Sequence, residues 1–182
     1  NINSAGFDGT PQISRDGLEL YYNYAAVDGQ CSFDIWVSKR STTEDPWSTP
    51  IRLDAPLNSP GPQLAPSLSA DGLELFFADG FPNVTGCAPN PGGYGHSDLW
   101  VSTRASKDDP WGVPMNLGPI VNTVDAEHTP CISANGLELY YMSNIPDDPR
   151  NSEILMTTRS TKDDPWGEPV TLSSNVNSSQ YE

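Results

Sequence analysis

One phrase occurs three times in this chain, and it constrains the fold before any single residue is interpreted. Its third copy runs Ala134-Asn135-Gly136-Leu137-Glu138-Leu139-Tyr140-Tyr141 and leads to Asp163-Asp164-Pro165-Trp166-Gly167. The first copy sets Asp16-Gly17-Leu18-Glu19-Leu20-Tyr21-Tyr22 ahead of Glu44-Asp45-Pro46-Trp47. The second sets Asp71-Gly72-Leu73-Glu74-Leu75-Phe76-Phe77 ahead of Asp108-Asp109-Pro110-Trp111. The acid that opens the next segment lies 16 positions beyond the first leucine in copies one (Leu18 to Asp34) and three (Leu137 to Glu153), but 25 in copy two (Leu73 to Asp98). From that acid to the tryptophan is 13 positions each time, and from the tryptophan to Asn58, Asn122 or Asn177 is 11. One insertion in an otherwise constant register marks a loop hung on a repeated structural unit.

Each copy reads as four strands. A short one opens it: Pro11-Gln12-Ile13-Ser14, Pro66-Ser67-Leu68-Ser69 or Pro130-Cys131-Ile132-Ser133. An Asp-Gly or Asn-Gly turn follows, which favours positive φ and a tight hairpin. The second strand alternates, with Leu18, Leu20 and Tyr22 on one face and Glu19 and Tyr21 on the other. The third is Asp34-Ile35-Trp36-Val37-Ser38 with its copies at Asp98 and Glu153, apolar on both faces as in a sheet sandwiched between sheets. The fourth begins with proline (Pro50, Pro114, Pro169), which suits an outer edge. No helical periodicity is visible.

Small antiparallel sheets in series, each apolar on two faces, stack around an axis as the blades of a β-propeller. The expected fold class is therefore all-β, with four-stranded antiparallel blades spanning approximately 5–57, 58–121 and 122–176. The phrases Asp-Gly-Leu-Glu-Leu-Tyr-Tyr, Asp-Ile-Trp-Val-Ser and Asp-Asp-Pro-Trp-Gly resemble the WD40-like β-propeller repeat of TolB-type periplasmic proteins and many secreted bacterial proteins, along the whole chain. That resemblance implies a fold and an extracytoplasmic (secreted or periplasmic) location, and it says little about function, because such propellers serve many ends.

Three blades cannot close a ring, since propellers use 4–8, and two apolar sheet faces would stay bare. The partners expected are the remaining blades of a longer chain, or a second copy in a homodimer that makes a six-bladed ring. The chain opens directly in repeat material, so any targeting segment is expected to have been removed or never included. Nothing reaches the length of a transmembrane helix, and no membrane insertion is expected.

The chain carries 24 acids against 9 bases, a formal charge of −15. That excess argues against a nucleic-acid phosphate backbone or an anionic membrane as partner and is compatible with cation binding. Of the three cysteines, Cys31 and Cys87 fall in corresponding loops of adjacent copies and are expected to pair as a disulfide if the compartment is oxidising. Cys131, in an apolar strand, is expected to be a buried thiol.

Five residues beyond the repeated asparagines stand Asp8, Gln63, Glu127 and Glu182. They are expected in the connector entering the innermost strand, as a polar ring at one mouth of the central tunnel, with His128 adding an imidazole. Carboxylates converging there suit a hard cation such as calcium, held by Asp8, Glu127 and Glu182, or hydrogen bonds to sugar or peptide. The bland reading of the same positions is a cap on the adjacent connector's amides, once per blade. Asp34, Asp98 and Glu153, with Arg40, Arg104 and Arg159, read as strand ties, and the three repeated tryptophans as cover for blade edges. The second copy's long loop, Phe81 to Ser97, breaks the symmetry and holds Tyr94 and His96; together with Glu127 and His128 they are candidate ligand-binding residues.

Catalytic signatures are lacking in the sequence. Two histidines leave no H-E-x-x-H, no G-x-S-x-G elbow is present, and Asp16-Gly17 and Asp71-Gly72 are contiguous where a sialidase aspartate box separates Asp from Gly. The sequence reading is a non-catalytic binding or assembly module presenting the tunnel mouth and long loop to a protein or carbohydrate. The alternative is a hydrolase or lyase acting on polysaccharide at that mouth. No cofactor beyond possible calcium is implied.

Overall fold

The structure, a computed structural model, describes residues 2–26, 32–58, 61–80, 90–144 and 152–177. Three four-stranded antiparallel sheets account for the regular structure, and the described residues contain no helix. Blade one holds β1 (Phe7–Ile13), β2 (Glu19–Ala25), β3 (Asp34–Lys39) and β4 (Ile51–Arg52). Blade two holds β5 (Gln63–Leu68), β6 (Glu74–Asp79), β7 (Leu99–Thr103) and β8 (Met115–Asn116). Blade three holds β9 (Ala126–Ile132), β10 (Glu138–Asn144), β11 (Ser152–Thr158) and β12 (Val170–Thr171). Strand order within each sheet follows the chain.

The tight turns form as the sequence requires. Gly17, Gly72 and Gly136 take φ near +75°, a conformation that costs glycine little. In the first turn the Ser14 hydroxyl donates to Asp16 and accepts the amides of Leu18 and Glu19, so the hairpin's spare donors are satisfied locally.

The innermost strands are longer than their prolines indicate. Each passes through the proline by a bulge, with register shifts at Gly9/Gln12, Leu64/Ser67 and Tyr140/Met142. Thr10, Ala65 and Thr129 sit there at φ of 44°, 49° and 50°. The bulge takes the missing N–H of Pro11, Pro66 or Pro130 out of the ladder, so pairing resumes upstream and places Asp8, Gln63 and Glu127 inside the strands rather than in the connectors.

The outer strands are only two residues long, and the repeated asparagines extend them. Asn58 accepts the Ile35 amide at 2.8 Å and donates to its carbonyl at 2.9 Å, and Asn122 and Asn177 treat Leu99 and Ile154 in the same way. A carboxamide thus stands in for one residue of backbone.

Packing runs between blades. Leu75 and Phe77 join Tyr21, Ile35, Val37 and Leu57 of blade one in one core; Phe76 and Ala78 join Leu139, Tyr141 and Trp166 of blade three in another. Blade two is therefore covered on both sides. Strands of blades one and three do not touch, and the arc stays open. Ile13 at its start is 48% exposed where the corresponding Leu68 is 7%, and Val176 at its end is 47% exposed where Leu57 and Val121 are 1%. Cys131 is exposed rather than buried. The equivalent Ser67 on β5 accepts the Ile132 amide and is buried because blade three lies against it, whereas none of the described residues covers Cys131.

Candidate functional site

The connectors, the starts of the innermost strands and residues 90–97 share one end of the arc. Glu127, fully buried, accepts the Thr123 amide at 2.9 Å, the Thr123 hydroxyl at 2.7 Å and the Ser143 hydroxyl at 3.3 Å. Burial raises its carboxyl above the ordinary range, opposed by the Thr123 bonds. Asp8 makes the same cap on the Ser4 amide and hydroxyl. Gln63, fully buried, donates to the Gly61 carbonyl. Each residue is engaged with its own connector, one per blade; Asp8 lines a groove with Leu20, Tyr22 and Trp47, and Glu127 one with Val121 and Tyr141.

His128 is partly buried, and burial lowers its imidazole below the usual range against an opposing effect of Asn144. Its Nε2 and the Asn144 Oδ1 have no hydrogen-bond partner among the described residues. No group of three or more His, Cys, Asp or Glu among those residues could hold a metal ion. Glu182, Cys31 and Cys87 lie outside the described residues.

The insertion of blade two is rooted by two buried carboxylates. Asp98 accepts the amides of Tyr94 (2.6 Å) and Gly95 (3.0 Å) and the Asn116 side chain (2.7 Å). Asp79 accepts the amides of Asn90 (2.6 Å) and Asp98 (2.8 Å). Burial pushes the Asp79 carboxyl up to about 6, with the Asn90 and Asp98 amides opposing and the Asp98 charge reinforcing it. The loop then crosses to blade three: the His96 amide donates to the Asp125 carbonyl at 3.0 Å, Ser97 bridges Ala126, and the Glu127 amide donates to the Ser97 carbonyl at 2.9 Å. Gly95 permits this approach, since a Cβ there would stand 2.2 Å from the Asp125 carbonyl oxygen. The crossing brings His96 beside the strand bearing Glu127 and His128, while Tyr94 stays 49% exposed. Asp79 was not marked out by the sequence pattern. Its signal is an acid directly ahead of the insertion, where the other copies place Tyr24 and Ser143.

The repeated charges tie strands and blades. Asp34 pairs with Arg52 at 2.7 Å, and Glu153 and Asp98 reach Thr171 and Asn116 at the same positions. Each arginine after the third strand lies over its tryptophan, at 4.3 Å (Arg40, Trp47), 4.4 Å (Arg104, Trp111) and 4.5 Å (Arg159, Trp166).

Fold and site together define three consecutive blades of an all-β propeller, with a rooted insertion at one end of the arc. Solved structures carry the same fold. A TolB-type protein of Agrobacterium tumefaciens aligns at TM-score 0.60 and 16% identity, over 95% of this chain and 50% of its own. TolB of Acinetobacter baumannii aligns at 0.51 and 13%, over 94% and 33%. A Trypanosoma rangeli sialidase in complex with the inhibitor DANA aligns at 0.52 and 13%, over 89% and 30%. The chain thus spans half or less of the length of these proteins, and the likeness is one of fold. No protein-family profile matches the sequence, and no curated protein does.

Proposed function

We propose that the chain, whose repeats are of the WD40-like kind, is a non-catalytic binding module of an extracytoplasmic protein, displaying the blade-two insertion and the adjoining mouth to a protein or carbohydrate. The observation that carries this reading is the rooted insertion. Two buried carboxylates and a bridge to blade three fix residues 90–97 before any ligand arrives, so an exposed Tyr94 is presented with little ordering cost. The alternative is a polysaccharide hydrolase or lyase, of which the hydrolase requires two carboxylates facing the substrate. Glu127 commits both its oxygens and Asp8 its Oδ2 to the connector, which supports binding over hydrolysis. Calcium at Asp8, Glu127 and Glu182 is retained as a proposal and predicts a melting temperature that falls with chelator.

Affinity electrophoresis through gels cast with neutral and acidic polysaccharides tests the reading. The native chain is expected to be retarded in at least one gel, and Tyr94→Ala to weaken retention about 10-fold or more, the loss typical of a truncated aromatic anchor. Equal retention of Tyr94→Ala would refute it. Release of oligosaccharide by the native chain but not by a folded Glu127→Gln variant would establish the enzyme instead.

A further inference from the structure

Both ends of the arc are apolar, and the polar residues around them identify what covers them. Inside the arc each joint is fastened twice. Arg104 donates to Glu19 of the preceding blade at 2.9 Å while Lys107 meets Asp16; Arg159 donates to Glu74 at 2.8 Å while Lys162 meets Asp71. Carried one unit outward, the donor positions on the open face of blade one are Arg40 and Thr43, and the acceptor positions on the open face of blade three are Glu138 and Asn135. Arginine and glutamate are kept, whereas lysine and aspartate are both replaced by neutral residues, one at each end. Faces that met unrelated blades would have no reason to lose the two halves of one pair together. Faces that meet each other do, because either charge alone would stand opposite a neutral residue.

The remaining geometry fits the same occupant. Arg40 lies over Trp47 with Nε on the Gly17 carbonyl and Nη1 on the Thr43 carbonyl. Arg104 and Arg159 are held in the same way, and each meets its glutamate through Nη2. Glu138 accepts the Tyr140 hydroxyl and forms no ion pair among the described residues. A groove of about 580 Å³ on blade one is lined by Leu20, Tyr22 and Trp47. These are the counterparts of Leu139, Tyr141 and Trp166, which pack with Val121 of the preceding blade. Val176, the counterpart of Val121, stands exposed on blade three.

We propose that the two end faces close on each other between two copies of this chain, with Arg40 of each copy on Glu138 of the other and Val176 of each in the other's groove. Three blades and three blades, related by a two-fold axis, make a six-bladed ring with two identical joints.

Sedimentation velocity on the 182-residue chain tests this. The native chain is expected at twice the chain mass. Arg40→Glu and Glu138→Arg, each alone, are expected to sediment as monomers, their association weakened at least about 100-fold by an unpaired charge at both joints. An equimolar mixture of the two variants is expected to recover the dimer, since one joint then keeps the native pair and the other carries it reversed. A stable native monomer would assign the faces to further blades of a longer polypeptide and overturn the proposal. So would a dimer indifferent to both substitutions, or a mixture that fails to recover. Should Arg40→Glu fail to fold, Thr43→Lys combined with Asn135→Asp, both at exposed positions, is expected to restore the second fastening and tighten the dimer about two- to fivefold. No tightening beyond either single variant would overturn it equally.

Discussion

Arg104→Met measures what holds one blade to the next. The Arg104 side chain is 3% exposed and that of Glu19 8%. Methionine keeps the stem over Trp111 but removes the donors to the Gly72 carbonyl (2.8 Å), the Lys107 carbonyl (3.0 Å) and Glu19. Burial by itself raises the Glu19 carboxyl, yet hydrogen bonds from Lys39 and Arg104 outweigh it and hold the group below the usual carboxylate range. With Arg104 gone, Lys39 at 2.6 Å and the Tyr21 hydroxyl at 3.2 Å remain among the described residues. Removing one partner of a buried pair costs about 3–5 kcal/mol. Because the surviving Lys39 is half-exposed and already in place, the lower end, about 3 kcal/mol, is expected. At this chain length that corresponds to a melting point about 6–12 °C lower. Urea unfolding of the native chain, Arg104→Met, Glu19→Gln and the double variant closes the cycle, with a coupling of about 2 kcal/mol or more expected. A single-variant cost below about 1 kcal/mol, the value of an exposed pair, or additive singles would refute the view that the buried clamp fastens the joint.

Three other substitutions probe the blades themselves. The Asp79 carboxyl is pushed up to about 6, so the folded chain holds this proton more tightly than the unfolded one. Its contribution is full below the unfolded value near 4 and is lost as pH rises through about 6. The cost of Asp79→Asn is therefore expected to be largest at pH 4 and to shrink by up to about 3 kcal/mol by pH 7; a pH-independent cost, followed by thermal melts, would contradict this. Referring each melt to the native chain at the same pH removes the opposing contribution of His128, whose imidazole is lowered. Asn122→Ala leaves the buried Leu99 amide unpaired and its carbonyl with the Leu117 amide alone and is expected to cost about 2–3 kcal/mol. Asn177→Ala makes the same deletion in the half-buried last blade and is expected to cost about 1 kcal/mol, a ranking that chemical denaturation checks.

The blade pattern was legible because each copy carries its own turn, alternation and spacing. What the sequence hid depends on the next copy along. Glu19 and Arg104 are 85 positions apart, one repeat further than either residue's own sheet, so both appear as ordinary repeated charges until the blades stack. Cys131 reads as core for the same reason: its equivalent Ser67 is buried only because blade three lies against it. The prolines gave a strand start at Pro11, Pro66 and Pro130, and the bulges at Thr10, Ala65 and Thr129 moved it upstream. The insertion was legible in its length, nine residues more between Leu73 and Asp98 than the other copies carry. Its foundation on Asp79 was not, because no copy-to-copy pattern contains that acid.

Asp79 stands at the end of β6, and Asp98 immediately precedes β7. The groups that anchor residues 90–97 therefore belong to the frame. Substitutions elsewhere in the insertion leave both anchoring carboxylates, and the strands they end and begin, in place.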